Sequence, residues 1–505
     1  MPTRLDDLPR CGADDRPALT FKDETLTYGE LNRRVARAAA GLRRLGLRRG
    51  ERVVVYVEKR LEAVVALFAV SAAGGVVVPV NPVFKARQVE HVLADCAAAV
   101  VITTAERHRT LSATPTVRHV VLIGEVDDEP GVTGWADLCP TDLCSADGSP
   151  VRDGVIDVDV AAIFYTSGST GGPKGVVLSH RNLLAGAASV AEYLEHTADD
   201  VVLAVLPLSF DAGFSQLTTS FLAGAHVVLV NYLLPREVVR LCARHGVTAL
   251  TCVPPLWLQL AGVAWPEEAT RRLRYFANTG GRMPGPTLTR LRGLFPLARP
   301  FLMYGLTEAF RSTYLDPAEV DRRPDSIGRA IPNAEVLVVR PDGTPCDPGE
   351  HGEIVHRGAL VALGYWNDPE RTAERYRPYP PGASELAVWS GDVAYRDDEG
   401  FLYFVGRTDD MIKTSGYRVS PAEIEEAAYA TGLVGEAVAF GVPDDALGQH
   451  VVLAVNGPCD VETLLKALAV DLPKYMLPRR VEVLPELPRS GNGKFDRTEL
   501  RRRCT

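Results

Sequence analysis

The sequence predicts an α/β protein: a parallel sheet covered on both faces, joined to a smaller β region and ending in a compact α+β module. Three observations carry that reading. Continuous apolar runs alternate with helical periods over the first 250 residues or so. The strands then shorten and the turns change over about 333–407, and the last hundred residues repeat a helix and strand pattern of their own.

Thr27 and Glu30 stand at capping-box spacing, and Leu31, Val35, Ala38, Leu42 and Leu45 follow at helical intervals up to a stop at Gly46. Strands are expected over 53–57, 76–80 and 98–103, with helices over 61–72 and 86–93 between and after them. The stretch 64–80 is the most apolar, but Ser71, Gly74, Gly75 and Pro79 interrupt it, so it reads as a buried helix entering a strand and not as a membrane span. Residues 124–154, rich in Asp, Gly and Pro, form a connection. The alternation resumes with strands over 201–207, 226–230 and 249–253 and helices around 217–222 and 235–245. Short strands over 334–339, 352–357 and 400–404 are separated by Pro-Asp-Gly, Asp-Pro-Gly-Glu and Asp-Asp-Glu-Gly turns, which suggests an antiparallel sheet or small barrel. Helices over 421–430 and 461–469 and strands over 436–442, 451–455 and 480–484 make the last module. Its boundary falls in the polar segment 406–410, giving domains 1–408 and 409–505.

At 505 residues with 46% apolar content the chain exceeds what one core usually serves, so two or more domains are expected. A formal charge of −9 spread over that length offers no general attraction to nucleic acid or to an anionic membrane. The nine cysteines include no C-x-x-C and no metal-finger spacing, and the N-terminus lacks an apolar signal region, so a reduced cytoplasmic protein is expected. Lysine is scarce, with 8 against 47 arginines, yet Lys174, Lys413 and Lys494 all fall in glycine-bearing segments.

The run Tyr165-Thr166-Ser167-Gly168-Ser169-Thr170-Gly171-Gly172-Pro173-Lys174-Gly175 lies between an apolar strand signal and a helix over 180–194 that Ser179 can cap. Glycines let backbone N–H groups approach anionic oxygens, hydroxyls add donors and Lys174 adds a mobile positive charge, so the loop reads as a polyphosphate site. Neither Gly168 nor Gly171 leads into a Gly-Lys-Ser/Thr ending, so it is not the P-loop of the NTPases.

Five segments in one order resemble the ANL superfamily of adenylate-forming enzymes: YTSGSTGGPKGV at 165–176, YGLTE at 304–308, SGD at 390–392, GRTDDMIKTSGYRVSPAEIEE at 406–426 and LPRSGNGKFDR at 487–497. The resemblance spans essentially the whole chain. It implies an N-terminal domain of two layered αβα subdomains and a small β-barrel-like subdomain, with a mobile C-terminal α+β domain. It also implies ATP, Mg²⁺ and coenzyme A as cosubstrate. A carboxylate would attack the α-phosphorus of ATP to give an acyl-adenylate and pyrophosphate, and a thiol would then displace AMP. Crowded negative charge makes compensation and positioning the main demands.

On that resemblance Thr166, Ser167, Gly168, Ser169, Thr170, Gly171 and Lys174 hold the phosphates, and Gly281 borders the nucleotide. Tyr304 faces adenine, Thr307 meets the phosphate and Glu308 holds Mg²⁺. Asp392 accepts from the ribose hydroxyls and Arg407 reaches ribose or phosphate. Lys494 bridges the carboxylate and the α-phosphate. Rotation about Asp409 would withdraw Lys494 and bring the Lys413 to Tyr417 face to the site.

The acid side carries an ambiguity. In Phe210-Asp211, Asp211 matches the aspartate that receives a substrate ammonium in amino-acid adenylation domains, and it also suits the start of a capped helix. The expected pocket comprises Phe210, Asp211, Gln216, Trp257, Asn278, Gly280, Met303, Ala309 and Arg311, with Arg311 suited either to a second carboxylate or to an ion pair. More narrowly, 301–335, 231–240 and 253–261 resemble AMP-forming acyl-CoA ligases associated with exosortase A systems. The expected partners are a small carboxylic acid or amino acid, and CoA or a phosphopantetheinylated carrier protein. No carrier segment follows in the chain, and a monomer and a homodimer are both open.

Overall fold

The computed structural model describes residues 2–124, 126, 130–139, 154–167, 173–281, 283, 285–407, 412–419, 421–488 and 497–504. Its core is built from two large sheets. One has nine strands, in the spatial order Arg329–Ala330, Thr313–Leu315, Arg299–Tyr304, Tyr275–Asn278, Ala249–Cys252, Val201–Ala204, His226–Leu229, Pro17–Phe21 and Glu24–Thr27. Its middle pairs are parallel and its edges antiparallel. The other has eight, with Arg52–Tyr56, Val76–Pro79, Val100–Thr104 and Val160–Ser167 at its parallel centre.

Alternation along each strand decides which core a residue joins. Val202 and Ala204 face the interior shared with Val53, Val55 and Ile102 of the other sheet, whereas Leu203 packs outward with Val228, Leu250 and Phe276. The helices Leu61–Ala72, His180–Tyr193 and Asp211–Ala223 contribute to the shared interior. Leu61–Ala72 is buried along almost its whole length, which explains why its apolar residues show no polar face. Phe68 on that helix meets Phe221 on Asp211–Ala223 edge to face at 5.4 Å, and Tyr28 meets Phe221 from another side at 6.0 Å.

The caps behave as the sequence predicts. Thr27 and Glu30 exchange bonds at the start of Tyr28–Arg44, and Ser179 accepts the Asn182 N–H at the start of His180–Tyr193. The phosphate loop does not run from strand straight to helix: a return strand, Pro173–Ser179, pairs antiparallel with Val160–Ser167, so the loop is the tip of a hairpin. The expected connection 124–154 contains a further strand, Val132–Gly134, and a short helix, Trp135–Leu138.

Residues 334–407 make a five-stranded antiparallel sheet, in which Leu386–Arg396 pairs with three neighbours. A last five-stranded sheet carries the hairpin Ile412–Thr414 and Tyr417–Val419 beside Gly448–Asn456, with helices Pro421–Ala430 and Val461–Asp471 over it. Among the described residues no helix is long and apolar enough to cross a membrane.

Because Phe221 is fully enclosed between the helices that join the two sheets, Phe221→Ala is expected to lower the unfolding free energy of the N-terminal body by about 3–5 kcal/mol. The shift of the chemical denaturation midpoint measures this. A loss below about 1 kcal/mol would contradict a shared helical layer.

Candidate active site

Loops leaving the carboxyl ends of the parallel strands of both sheets converge on one cavity of about 430 Å³, where open α/β sheets generally receive ligands. Thr166 and Lys174 line one part, Ser209 to Asp211 another, Gly305 to Glu308 a third, and Ser415 to Tyr417 close it from the C-terminal sheet.

Lys174 and Glu308 approach from opposite sheets. The Lys174 ammonium donates to Glu308 Oε1 at 3.1 Å and to the Tyr365 hydroxyl at 2.7 Å, and Tyr365 donates to the same carboxylate oxygen at 2.7 Å. Glu308 is buried, and the buried Thr166 hydroxyl has no partner among the described residues. An orphaned hydroxyl beside a lysine suits a phosphate oxygen. Among the described residues no cluster of three His, Cys, Asp or Glu could hold a metal ion by itself. That suits Mg²⁺, which binds through one or two carboxylates plus substrate phosphates and keeps several waters.

Tyr304 ends the strand Arg299–Tyr304, and its hydroxyl donates to Asp392 Oδ2 at 2.6 Å. Asp392 is fully buried and stands across from Arg407 in the strand register. Its N–H is held by Ser390 Oγ at 3.0 Å, and that hydroxyl in turn donates to the Ile354 carbonyl at 2.7 Å. The Lys413 ammonium lies 4.3 Å from the Phe404 ring, which itself flanks Tyr304.

The acid side departs from expectation. Asp211 opens the helix Asp211–Ala223 but makes no capping bond, since Phe210 is the N-cap residue. Its carboxylate instead accepts from Thr307 Oγ1 at 3.2 Å and from the guanidinium of Arg311. Arg311 is 3% exposed and Asp211 15%, so this is a buried ion pair at the cavity wall. Of the two roles open to Arg311, the ion pair is the one observed.

Phe210, Asp211, Gly280 and Arg311 line the cavity. Trp257, Gln216, Asn278, Met303 and Ala309 do not. Trp257 is enclosed in the outer core, with its indole N–H on the Ala277 carbonyl and its ring on Phe276. Gln216 spends both ends of its amide on the strand end, accepting from Leu206 N–H and donating to the Leu203 carbonyl. Asn278 donates to the Gly281 carbonyl, Met303 receives the Tyr193 hydroxyl, and Ala309 is fully buried. Gln216 and Met303 border a void beyond Arg311 of only about 20 Å³, room for about one water. Gly281 likewise lies outside the cavity lining, one residue beyond Gly280.

Other expected residues, namely Gly168, Ser169, Thr170, Gly171, Asp409 and Lys494, lie outside the described residues, as do the side chains of Ser167 and Arg407. The Lys413 to Tyr417 face is at the site. Tyr417 meets Phe210 edge to face at 5.4 Å and stacks on Tyr475 at 3.7 Å, and Gln88 donates to Glu423 at 2.7 Å across the same junction. Gly416 holds φ at +80°, and a Cβ there would fall 2.9 Å from Val253, so this close approach needs glycine.

Two residues escape the sequence reading. Tyr365 follows an ordinary Gly-Tyr-Trp run, and Lys59 sits in a charged turn with no glycine beside it. Lys59 is buried, and its ammonium donates to the carbonyls of Ala204, Val205 and Leu206 at 2.8, 2.8 and 3.2 Å. Burial pulls its pKa down to about 7, and the three carbonyls oppose that by solvating the charged form.

The chain matches known proteins along nearly its full length. Residues 10–366 match the AMP-binding enzyme family and 423–494 the AMP-binding enzyme C-terminal domain. A feruloyl-CoA synthase of Amycolatopsis sp is 35% identical over 95% of this chain and 94% of its own. A long-chain-fatty-acid–CoA ligase of Salmonella typhimurium is 32% identical over 96% and 91%. The solved o-succinylbenzoate CoA synthetase of Bacillus subtilis superposes with a TM-score of 0.83 at 27% identity, over 99% of this chain and 98% of that one.

Arg311→Leu leaves the Asp211 carboxylate without its buried counter-ion and is expected to cost about 3 kcal/mol of stability, most of it regained in the double variant Asp211→Asn/Arg311→Leu. Denaturation midpoints of the three variants measure this. Additive losses would contradict the pairing.

Proposed function

The chain belongs to the AMP-binding enzyme family, and from that premise we propose that it is an AMP-forming acid–thiol ligase. It activates a carboxylic acid as an acyl-adenylate, releasing pyrophosphate, and transfers the acyl group to the thiol of coenzyme A, releasing AMP. The observation that carries this reading is one cavity shared by the Lys174–Glu308 pair and the C-terminal hairpin at Ser415 to Tyr417. A phosphate-handling wall and a wall that closes over a second substrate suit two successive substitutions at one place.

In the first step a carboxylate oxygen forms a bond to the α-phosphorus and the bond to the pyrophosphate oxygen breaks. Thr166 and Lys174 offer a hydroxyl and a positive charge to the departing phosphates. Glu308 would hold Mg²⁺, which supplies charge neutralisation on the phosphates when bound. Tyr304 and Asp392 offer an aromatic face and a fixed carboxylate for the nucleoside. Lys494 is assigned to the two anions that must meet, and Asp409 to the hinge between domains 1–408 and 409–505. In the second step the thiol sulfur bonds to the acyl carbon, the bond to the adenylate oxygen breaks, and the thiol proton leaves. The Phe210–Tyr417 contact and the glycine approach at Gly416 bring the C-terminal wall to the acid side.

The Asp211–Arg311 pair favours a plain acid over an amino acid, because the carboxylate that would receive an α-ammonium already has a buried cation. Loading of a carrier-protein thiol by an amino-acid adenylation enzyme is the weaker reading on that ground. Within the family we place the chain with the ligases associated with exosortase A systems, on the resemblance of 301–335, 231–240 and 253–261.

Trapping with hydroxylamine across fatty, aryl and amino acids, followed by mass analysis with CoA added, tests the reading. A fatty or aryl hydroxamate and the matching acyl-CoA are expected; activation of amino acids alone would overturn the CoA-ligase reading. Lys494→Ala is expected to slow adenylate formation on the order of 10²-fold or more while leaving conversion of supplied acyl-adenylate to thioester nearly intact. Equal losses in the two half-reactions, measured separately, would remove Lys494 from the first.

A further inference from the structure

The segment carrying Tyr365 is tied by its backbone to both elements that bear the charged pair. Ala362 N–H donates to the Glu308 carbonyl at 2.9 Å, while Leu363 and Trp366 N–H groups donate to Val177 and Gly175 on the Lys174 strand at 2.8 and 2.7 Å. Gly364 permits the turn between them: its φ is +134°, and a Cβ there would fall 2.6 Å from Thr372. Thr372 Oγ1 then fixes the Tyr365 N–H at 2.9 Å.

This frame aims one hydroxyl at two charges. It accepts from Lys174 and donates to Glu308, each at 2.7 Å, while the ring lies 4.2 Å below the ammonium and edge to face with Tyr376 at 5.5 Å. Tyr365 is 6% exposed, and burial together with the Glu308 charge holds its phenol well above its ordinary pKa, so it stays a donor. When phosphate oxygens arrive, Lys174 has a stronger partner than Glu308. The buried carboxylate then loses its cation at the moment it must stay in place.

We propose that Tyr365 is a positioning residue for the nucleotide and metal step: its hydroxyl keeps one oxygen of Glu308 fixed as Lys174 moves to phosphate, leaving the other for Mg²⁺. This rests on the adenylating function proposed above. A neutral donor suits the task because it adds no positive charge to repel the metal. The outcome expected of the structure is an exchange of partners, in which Lys174 leaves the carboxylate and Tyr365 remains on it.

Calorimetric titration with ATP, with and without Mg²⁺ and with no acid present, tests this without turnover. In the wild type Mg²⁺ tightens ATP binding. Tyr365→Phe keeps the ring and is expected to lose about tenfold of that Mg²⁺-dependent gain, the scale of a hydrogen bond to a charged group, while binding ATP alone within about twofold of wild type. In a Glu308→Gln background the same change is expected to do nothing further. An unchanged Mg²⁺ gain in Tyr365→Phe, equal weakening with and without Mg²⁺, or additive losses with Glu308→Gln would each overturn the role. A wild type whose ATP affinity ignores Mg²⁺ would overturn the nucleotide reading itself, and this role with it.

Discussion

The reaction centre depends on opposite charges from two sheets being held within contact distance until substrate replaces one of them. Lys174 on a hairpin strand and Glu308 after the strand Arg299–Tyr304 stand 3.1 Å apart, an attraction on the order of 5 kcal/mol at the effective dielectric of a protein site. Desolvation offsets much of it. The pair therefore serves geometry more than stability: it keeps the phosphate hairpin and the 304–308 loop facing each other across the cavity. Everything else in the site is arranged around that separation, from the Tyr304–Asp392 contact on one side to Asp211 and Thr307 on the other.

The sheets can meet this way because the parallel strands of each end at a common level and the loops leaving them are short. Lys59 shows the join at its simplest. It follows the strand Arg52–Tyr56 of one sheet, and its ammonium caps three carbonyls at the end of Val201–Ala204 in the other. Asn231 returns two bonds to the Lys59 backbone from the next loop. A buried ammonium satisfied by carbonyls ties together the floor from which Phe210 and Asp211 rise.

Local chemistry was legible in the sequence where it is self-contained. The Thr27 and Ser179 caps, the buried helix 61–72 and the turn-rich antiparallel sheet all follow from neighbours in the chain. The strand Pro173–Ser179 was not, because its Pro-Lys-Gly start reads as loop and only pairing with Val160–Ser167 makes it a strand. On the site, residues whose role is set by the ends of strands were found, while Trp257, Gln216 and Met303 were misplaced by one layer. Nearness in sequence to a cavity residue does not say which face of a helix or strand it occupies. Arg311 is the instructive case: its contact with Asp211 spans 100 residues, and neither partner alone announces it.

Transfer of oxygen from the acid to the nucleotide tests the central claim most directly. With substrate carboxylate labelled in ¹⁸O and the reaction run to completion in unlabelled water, an acyl-adenylate route leaves one labelled oxygen in AMP and none in pyrophosphate. Label recovered in orthophosphate beside ADP would mean that the acid attacks the terminal phosphate, and the adenylating account of this site would be wrong.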